Sequence, residues 1–181
     1  MANFKGNELY IHGSGLKTGI LLTNLGTPDE PTPPSLRTYL RQFLSDGRVI
    51  ETPKAIWWFI LNGIVLRTRP AKSAKAYQSV WTDDGSPLLL YTQKQKNQIK
   101  QQLEKKYPNL IFDIGMRYGN PSIAEGLNNL RNQNCDRIIV LPLYPQYCAA
   151  TTGSTFDAVA LELQQWRWVP SLRFIGSYYD Q

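Results

Sequence analysis

RIIVLPL, residues 137–143, decides the fold. It is a short apolar run rich in β-branched side chains, and such a run reads as a strand buried on both faces. Working outward, three more runs share its character: GILLTN at 19–24, LIFDIGM at 110–116 and LRFIGSY at 172–178. The stretches between them carry helix signals. Leu36, Tyr39, Leu40, Phe43 and Leu44 fall at i, i+3, i+4, i+7 and i+8, a single helix face, and Ser35 stands where a cap belongs. The Trp-rich segment 53–66 reads as a helix with Pro53 in its first turn, and Pro70 as the start of another short helix reaching about Val80. Asp83 to Pro87 is a turn. A helix follows from about Leu88 to Tyr107, closed by Pro108 and Asn109. Asn120 and Pro121 read as cap and first-turn residue of a helix carrying Ile123, Leu127 and Leu130. Ser154 and Asp157 read as a capping box before Phe156, Val159, Ala160, Leu163 and Trp166, with Pro170 as the breaker. Strands alternating with helices predict an α/β fold: a four-stranded parallel sheet flanked by helices on both faces. In such sheets a ligand lies at the carboxyl ends of the strands. Those ends are Asn24–Asp29, Met116–Asn120, Pro142–Thr152 and Tyr178–Gln181.

Composition bounds the function. With 42% apolar and 19% charged residues in 181, the chain can bury a core without covalent staples, as one domain or slightly more. Its two cysteines, Cys135 and Cys148, form no CxxC and have no histidine nearby, which speaks against a zinc site and a disulfide scaffold and for a reducing, cytoplasmic compartment. Residues 1–17 read as a flexible, polar, Gly-rich tail without a secretory apolar segment, and 18–181 as the domain. The longest apolar run, Ala55–Leu66, is interrupted by Asn62 and Gly63 and is too short to span a bilayer. The net charge of +6 suits an acidic small molecule, anionic lipid or nucleic acid. Lys94, Lys96, Lys100, Lys105 and Lys106 crowd one helix and read as a solvated face; no nucleic-acid motif accompanies them, so no nucleic-acid partner is expected. The loop Gly26-Thr27-Pro28-Asp29 lacks GxGxxG, which leaves a nucleotide-binding domain poorly supported.

Five segments, in order, resemble the ferrochelatase family: ILLTNLGTPD (20–29), FLSDGRVIE (43–51), RPAKSAKAYQSVWTDDGSPL (69–88), MRYGNPSI (116–123) and LPLYPQYCAATTGSTFDAV (141–159). The resemblance covers nearly everything after Lys17. It implies a chelatase-like fold of two similar α/β domains, this chain being the first, with porphyrin in the cleft between them. It implies ferrous iron and protoporphyrin IX as substrates of haem biosynthesis. A porphyrin is a flat apolar disc with two propionates, so it calls for apolar walls and a few cationic or hydroxyl anchors. By the resemblance, Leu25 faces the macrocycle, and Trp57, Trp58, Phe59 and Ile60 form a covering lip. Arg69, Tyr77 and Ser86 line the pocket or hold propionate; a guanidinium binds a carboxylate bidentately. Arg117 and Tyr118 line the metal side, with Tyr144 and Tyr147 near them. Read without the family, the tryptophans and the loop tyrosines are packing residues, and Arg69 is a surface arginine.

The family's catalytic histidine, in a Ser-x-His-Gly/Ser-Leu/Ile-Pro motif, and its later acidic residue find no match here. No catalytic residue is therefore expected within the chain. His12, in the tail, is expected to be irrelevant to metal chemistry. Some relatives carry an iron–sulfur cluster; its first cysteine matches Ala149, Cys148 lies one residue earlier, and two thiols cannot supply four ligands, so no cluster and no other cofactor is expected. The reading is a porphyrin-binding half of a ferrochelatase, inactive alone, and the alternative is a truncated tetrapyrrole-binding module without chelatase activity. Peripheral membrane contact at the lip and dimerisation through an exposed apolar face are further expectations.

Overall fold

The computed structural model describes residues 4–6 and 16–180. Four parallel strands form one sheet in the order β2-β1-β3-β4: β1 (Lys17–Thr27), β2 (Leu110–Gly119), β3 (Cys135–Pro142) and β4 (Ser171–Phe174). The register pairs Ile20 of β1 with Phe112 of β2 and with Ile139 of β3, so β1 is hydrogen-bonded on both edges. This is the expected four-stranded parallel sheet, and its central strands read as continuous apolar runs because helices cover them.

One face packs on α5 (Ile123–Asn132) and α6 (Ser154–Leu163). Leu21, Ile138 and Val140 of the sheet meet Leu127 and Leu130 of α5 and Val159 of α6, all fully buried. Truncating such a leucine to alanine costs about 2–5 kcal/mol. The other face takes α4 (Pro87–Leu103), where the Asn24 amide donates to Thr92 Oγ1 at 3.1 Å. Beyond the carboxyl ends lie α1 (Pro33–Leu44), α2 (Lys54–Ile60) and α3 (Leu66–Gln78), with a π-turn, Leu61–Val65, joining the last two. Among the described residues no helix is long and apolar enough to cross a membrane.

Several boundaries differ from the sequence reading. Pro70 does not open a helix; it lies inside α3, and α2, the π-turn and α3 run on without a break. The ring of a helical proline strikes the carbonyl four residues back. Here that residue is Leu66, whose ψ of −5° flattens the backbone as the π-turn ends. Ser35 does not cap α1. Thr32 holds that position without a side-chain bond, Pro34 at the second helical position having no N–H to offer it, and the Ser35 hydroxyl accepts from the Glu30 amide instead. The start of α5 is Ser122, not Asn120. Its hydroxyl accepts from Glu125 N–H while the Glu125 carboxylate accepts from Ser122 N–H at 2.6 Å, a complete capping box. Asn120–Pro121 is a cis peptide ahead of it, and the Pro121 carbonyl accepts from Met116 N–H at 2.7 Å. Ser154 and Asp157 form no capping box, since α6 grows directly from a second π-turn, Ala149–Gly153, that already supplies acceptors to its first amides. Strand β4 ends at Phe174, paired with Val140, short of the Tyr178 expected from the sequence; beyond it Ile175 N–H still donates to Val140 O, and Tyr178 N–H donates to Pro145 O outside the sheet.

The tail expected over 1–17 is only partly described. His12 lies outside the described residues. Lys5 forms a parallel bridge with Trp166 through bonds to Gln165 O and Arg167 N, and Lys17 already belongs to β1.

Candidate functional site

The ends of β1 and β2 approach too closely for side chains on both backbones. Gly26 has φ +99°, and a Cβ there would lie 1.7 Å from the Tyr118 carbonyl oxygen; Gly119 has φ +77°, with Thr27 O at 2.2 Å from the same imagined atom. Both positions need glycine for conformation and for space. The parallel register pairs Tyr118 with Gly26, which sets Arg117 alongside Leu25.

Beneath that junction sits a hydrogen-bonded cluster built from three separate segments. Asp46 follows α1, Arg117 and Tyr118 end β2, and Ser154 begins α6. The Asp46 Oδ2 accepts from Arg117 Nη2 at 2.6 Å, from the Tyr118 hydroxyl at 2.7 Å and from the Ser154 hydroxyl at 2.5 Å, while Oδ1 accepts from the Arg48 amide at 2.8 Å. Arg117 Nε donates to Ser154 O and Oγ, and its guanidinium lies 4.6 Å over the Tyr118 ring. Outside the cluster, Arg48 forms a two-bond ion pair with Asp157. Burial alone would raise the Asp46 carboxyl, but the donors from Ser154, the Arg48 amide, Tyr118 and Arg117 outweigh it and hold the group below the usual carboxylate range. Burial pushes Tyr118 up to about 12, helped by its bond to Asp46 and opposed by Ser154 and Arg117.

An aromatic chain connects this cluster with the other expected residues. Tyr39 of α1 meets Tyr118 edge-on at 6.5 Å and Tyr77 of α3 edge-on at 6.3 Å, and its hydroxyl donates to Gly26 O. Leu25, half-buried, packs on the same group. Tyr77 continues to Trp81 at 6.3 Å, and Trp81 lines an open cavity of about 380 Å³ together with Ser86, Pro28, Leu89 and Pro121. Burial raises the Tyr39 and Tyr144 hydroxyls far above the ordinary phenol, with smaller contributions from Tyr144 on Tyr39 and from Tyr118 on Tyr144; the buried Tyr144 hydroxyl meets no partner among the described residues.

The structure thus gathers Leu25, Tyr77, Arg117, Tyr118 and Tyr144 around Tyr39, with Ser86 one aromatic ring further on. Tyr118 itself is enclosed, at 1% exposure, so Arg117 is the member of that pair that reaches outward. Trp57 lies on an adjoining cluster with Leu44, Leu61 and Leu66, and its indole donates to Leu44 O. Trp58 and Phe59 are exposed and stack edge-on with one another, and Arg69 is exposed on α3 with no hydrogen bond or ion pair to the described residues. Tyr147 is exposed. Among the described residues no group of histidine, cysteine or acidic side chains is arranged to hold a metal ion; Cys135 is buried at the start of β3 and Cys148 exposed.

Asp46, Ser154 and Tyr39 were not among the residues expected from the sequence. Asp46 and Ser154 lie within two of the quoted segments, FLSDGRVIE and LPLYPQYCAATTGSTFDAV, but no spacing rule joins them.

The ferrochelatase family model matches residues 17–181. The chain belongs to the ferrochelatase family. Its ferrochelatase relatives include one from Thioalkalivibrio sulfidiphilus, 52% identical over 178 residues, covering 98% of this chain and 48% of the relative. A second, from Hydrogenovibrio crunogenus, is 54% identical over 181 residues, covering 97% and 48%. Ferrochelatase 2 of Shewanella oneidensis is 53% identical over 169 residues, covering 93% and 52%. The chain spans about half the length of these curated relatives. The family's matched residues therefore include both the Asp46 cluster and the aromatic chain leading to Ser86.

Proposed function

We propose that this chain is the porphyrin-binding half of an enzyme of haem formation that inserts ferrous iron into protoporphyrin IX, and that alone it binds the macrocycle without metallating it. The observation that carries this reading is the aromatic and apolar chain from Leu25 through Tyr39, Tyr77 and Trp81 to Ser86, ending at one side on the Arg117 guanidinium. Flat apolar surface with a few polar anchors is what a dicarboxylic tetrapyrrole requires. The exposed Trp58 and Phe59 stand ready to cover one face of the disc, and the same lip offers an apolar surface for peripheral membrane contact or a second copy.

Metallation needs an acceptor for the two pyrrole protons that leave as the ion enters. The described cluster offers none near neutral pH. The Asp46 carboxylate spends its lone pairs on four donors, and Tyr39, Tyr118 and Tyr144 are all held in the neutral form by burial. The acceptor must then come from outside this cluster, as must the groups that bend the ring and exclude water.

Fluorescence titration with protoporphyrin IX tests the binding, and anaerobic incubation with ferrous or zinc ions, followed by porphyrin absorbance, tests the chemistry. Binding without metallation is expected. Steady turnover by the isolated chain would overturn the second half of the reading, and no change in porphyrin fluorescence would overturn the first.

A further inference from the structure

All-parallel sheets occur almost only with helices over both faces, because their strands are apolar on both. Here one face is sealed by α5 and α6, and Ile138 and Val140 of β3 are fully buried beneath them. The opposite face has α4, which lies over β1 and β2. No helix among the described residues packs comparably on β3 or β4 from that side. The register shows where the cover ends. Leu22 of β1 is fully buried, whereas Leu141, its direct neighbour on β3, is only partly buried, and so is Ile139 on the same face. Strands lie about 4.8 Å apart and a helix with its side chains is about 10 Å across, so the uncovered pair has the width of one helix.

The same half-face is basic. Arg173 of β4 stands beside Ile139, and Arg137 lies two residues before it, so strand alternation puts both arginines on the face of Ile139 and Leu141. Both are exposed, and neither has a hydrogen bond or ion pair with a described residue. Alongside, α4 carries Lys94, Lys96 and Lys100 and no acidic residue over Pro87–Leu103. A second copy of this surface would set arginine against arginine. A phosphate backbone would meet the arginines and leave the floor of Ile139 and Leu141 wet.

We propose that β3 and β4 receive on this face an amphipathic α-helix whose apolar stripe is flanked by Asp or Glu, supplied by the part of a full-length ferrochelatase that this chain does not span. The stripe covers Ile139 and Leu141, and the carboxylates reach Arg137 and Arg173, whose guanidinium groups suit them. This chain spans about half the length of its relatives, which leaves them the residues to supply such a helix. The face lies on the flank of the sheet rather than at the strand ends, so porphyrin binding is not involved.

The probe is a set of overlapping synthetic peptides of about 20 residues, each a helix of about 30 Å, spanning the part of the Thioalkalivibrio sulfidiphilus ferrochelatase outside the match. They are titrated into this chain with its isoleucine and leucine methyls labelled for NMR. The Ile139 signal is assigned by its loss in Ile139→Val and the Leu141 signals by their loss in Leu141→Met. One acidic, amphipathic peptide should shift Ile139 and Leu141 and leave Ile138 and Leu127, on the other face, in place. Against Arg137→Glu combined with Arg173→Glu the same peptide should bind about tenfold more weakly. Its counterpart with Lys in place of Asp and Glu should prefer that variant to the wild type. Both arginines are exposed, so the variant should melt within about 2 °C of the wild type, which separates lost binding from lost fold. If no peptide shifts Ile139 and Leu141, or if the acidic peptide binds wild type and variant equally, the proposal is overturned. Shifts at those methyls that grow with the concentration of the chain alone mean that a second copy covers the face, and they overturn it as well.

Discussion

Replacing Gly26 with alanine should loosen the site from its backbone outward. Two costs act at that position. The φ of +99° lies in the left-handed region, where a Cβ costs about 1–2 kcal/mol. The new methyl would also lie 1.7 Å from the Tyr118 carbonyl oxygen and 2.8 Å from its carbon. Neither atom belongs to a flexible side chain, so the ends of β1 and β2 must part, a rearrangement worth about 1–3 kcal/mol by comparison with overpacked cores. Together these come to about 2–5 kcal/mol. In a domain of this size each kcal/mol lowers the melting temperature by about 2–4 °C, so a fall of about 4–20 °C is expected. Gly85→Ala is the matched control. Gly85 has φ +114° with nothing within 4 Å of the added methyl, so it carries the conformational cost alone, about 1–2 kcal/mol. Thermal melts followed by far-ultraviolet circular dichroism, with urea titrations to check that the slope m is unchanged, measure both. The difference between the two variants isolates the steric overlap. A Gly26→Ala protein melting within about 2 °C of the wild type, or no lower than Gly85→Ala, would refute the close approach of the two strand ends.

Two further perturbations test the buried charges. Glu162 is nearly buried and accepts from Lys5, Asn128 and Trp166; burial works to raise its carboxyl, and those three donors together hold it below the ordinary range. Lys5→Met should cost about 1 kcal/mol at pH 7, a modest figure because the lysine side chain is 41% exposed and its charge is screened. A carboxylate with a depressed folded pKa adds stability above its unfolded value, about 4.3, and loses it as pH falls through the folded value, so the gap in urea midpoint between wild type and variant should close below about pH 4. A gap that stays constant from pH 7 to pH 3 removes Glu162 from the account. Tyr118 has the opposite sign: raised to about 12, its neutral form adds stability that is complete below pH 10 and lost as pH climbs toward 12. Tyr118→Phe should cost about 1 kcal/mol at pH 7 through the lost donor to Asp46, and should show a flatter alkaline limb in denaturant titrations; an equally steep limb would show that the hydroxyl does not titrate late.

The strands were legible because each is a continuous apolar run, and a run such as RIIVLPL has no other stable use than a doubly covered strand. Their ends were less so. Strand β1 continues through Leu25, Gly26 and Thr27, where the apolar pattern has already ceased, because β2 continues beside it to Gly119. The helices were legible by face and misread at their starts. Ser35, Ser154 and Asp157 are all residue types that cap helices, yet each is used elsewhere: Ser35 on the Glu30 amide, Ser154 in the Asp46 cluster, Asp157 on Arg48. Sequence shows that a side chain is able to cap; it does not show whether a stronger claim on that hydroxyl or carboxylate arrives from another segment. Pro70 teaches the converse, since the break it signals was absorbed by a π-turn that leaves no mark in composition.

The site divides along the same line. Arg117, Tyr118, Tyr77 and Ser86 could be named because they stand in segments matched to a family, but their order of importance could not, and Asp46 was passed over. Its partners lie 71, 72 and 108 residues away in sequence, so no periodicity connects them. Locally, Ser45-Asp46-Gly47 has all the marks of a turn, and one oxygen of Asp46 does serve that turn by accepting from the Arg48 amide at 2.8 Å. The other oxygen gathers Arg117, Tyr118 and Ser154. A residue whose local role is complete gives no hint of an unmet need, and that is why the carboxylate with the most donors in the cluster was the one the sequence concealed. The same division of labour predicts which property is tolerant: the turn accepts asparagine as readily as aspartate, whereas three donors converging on one oxygen require the charge.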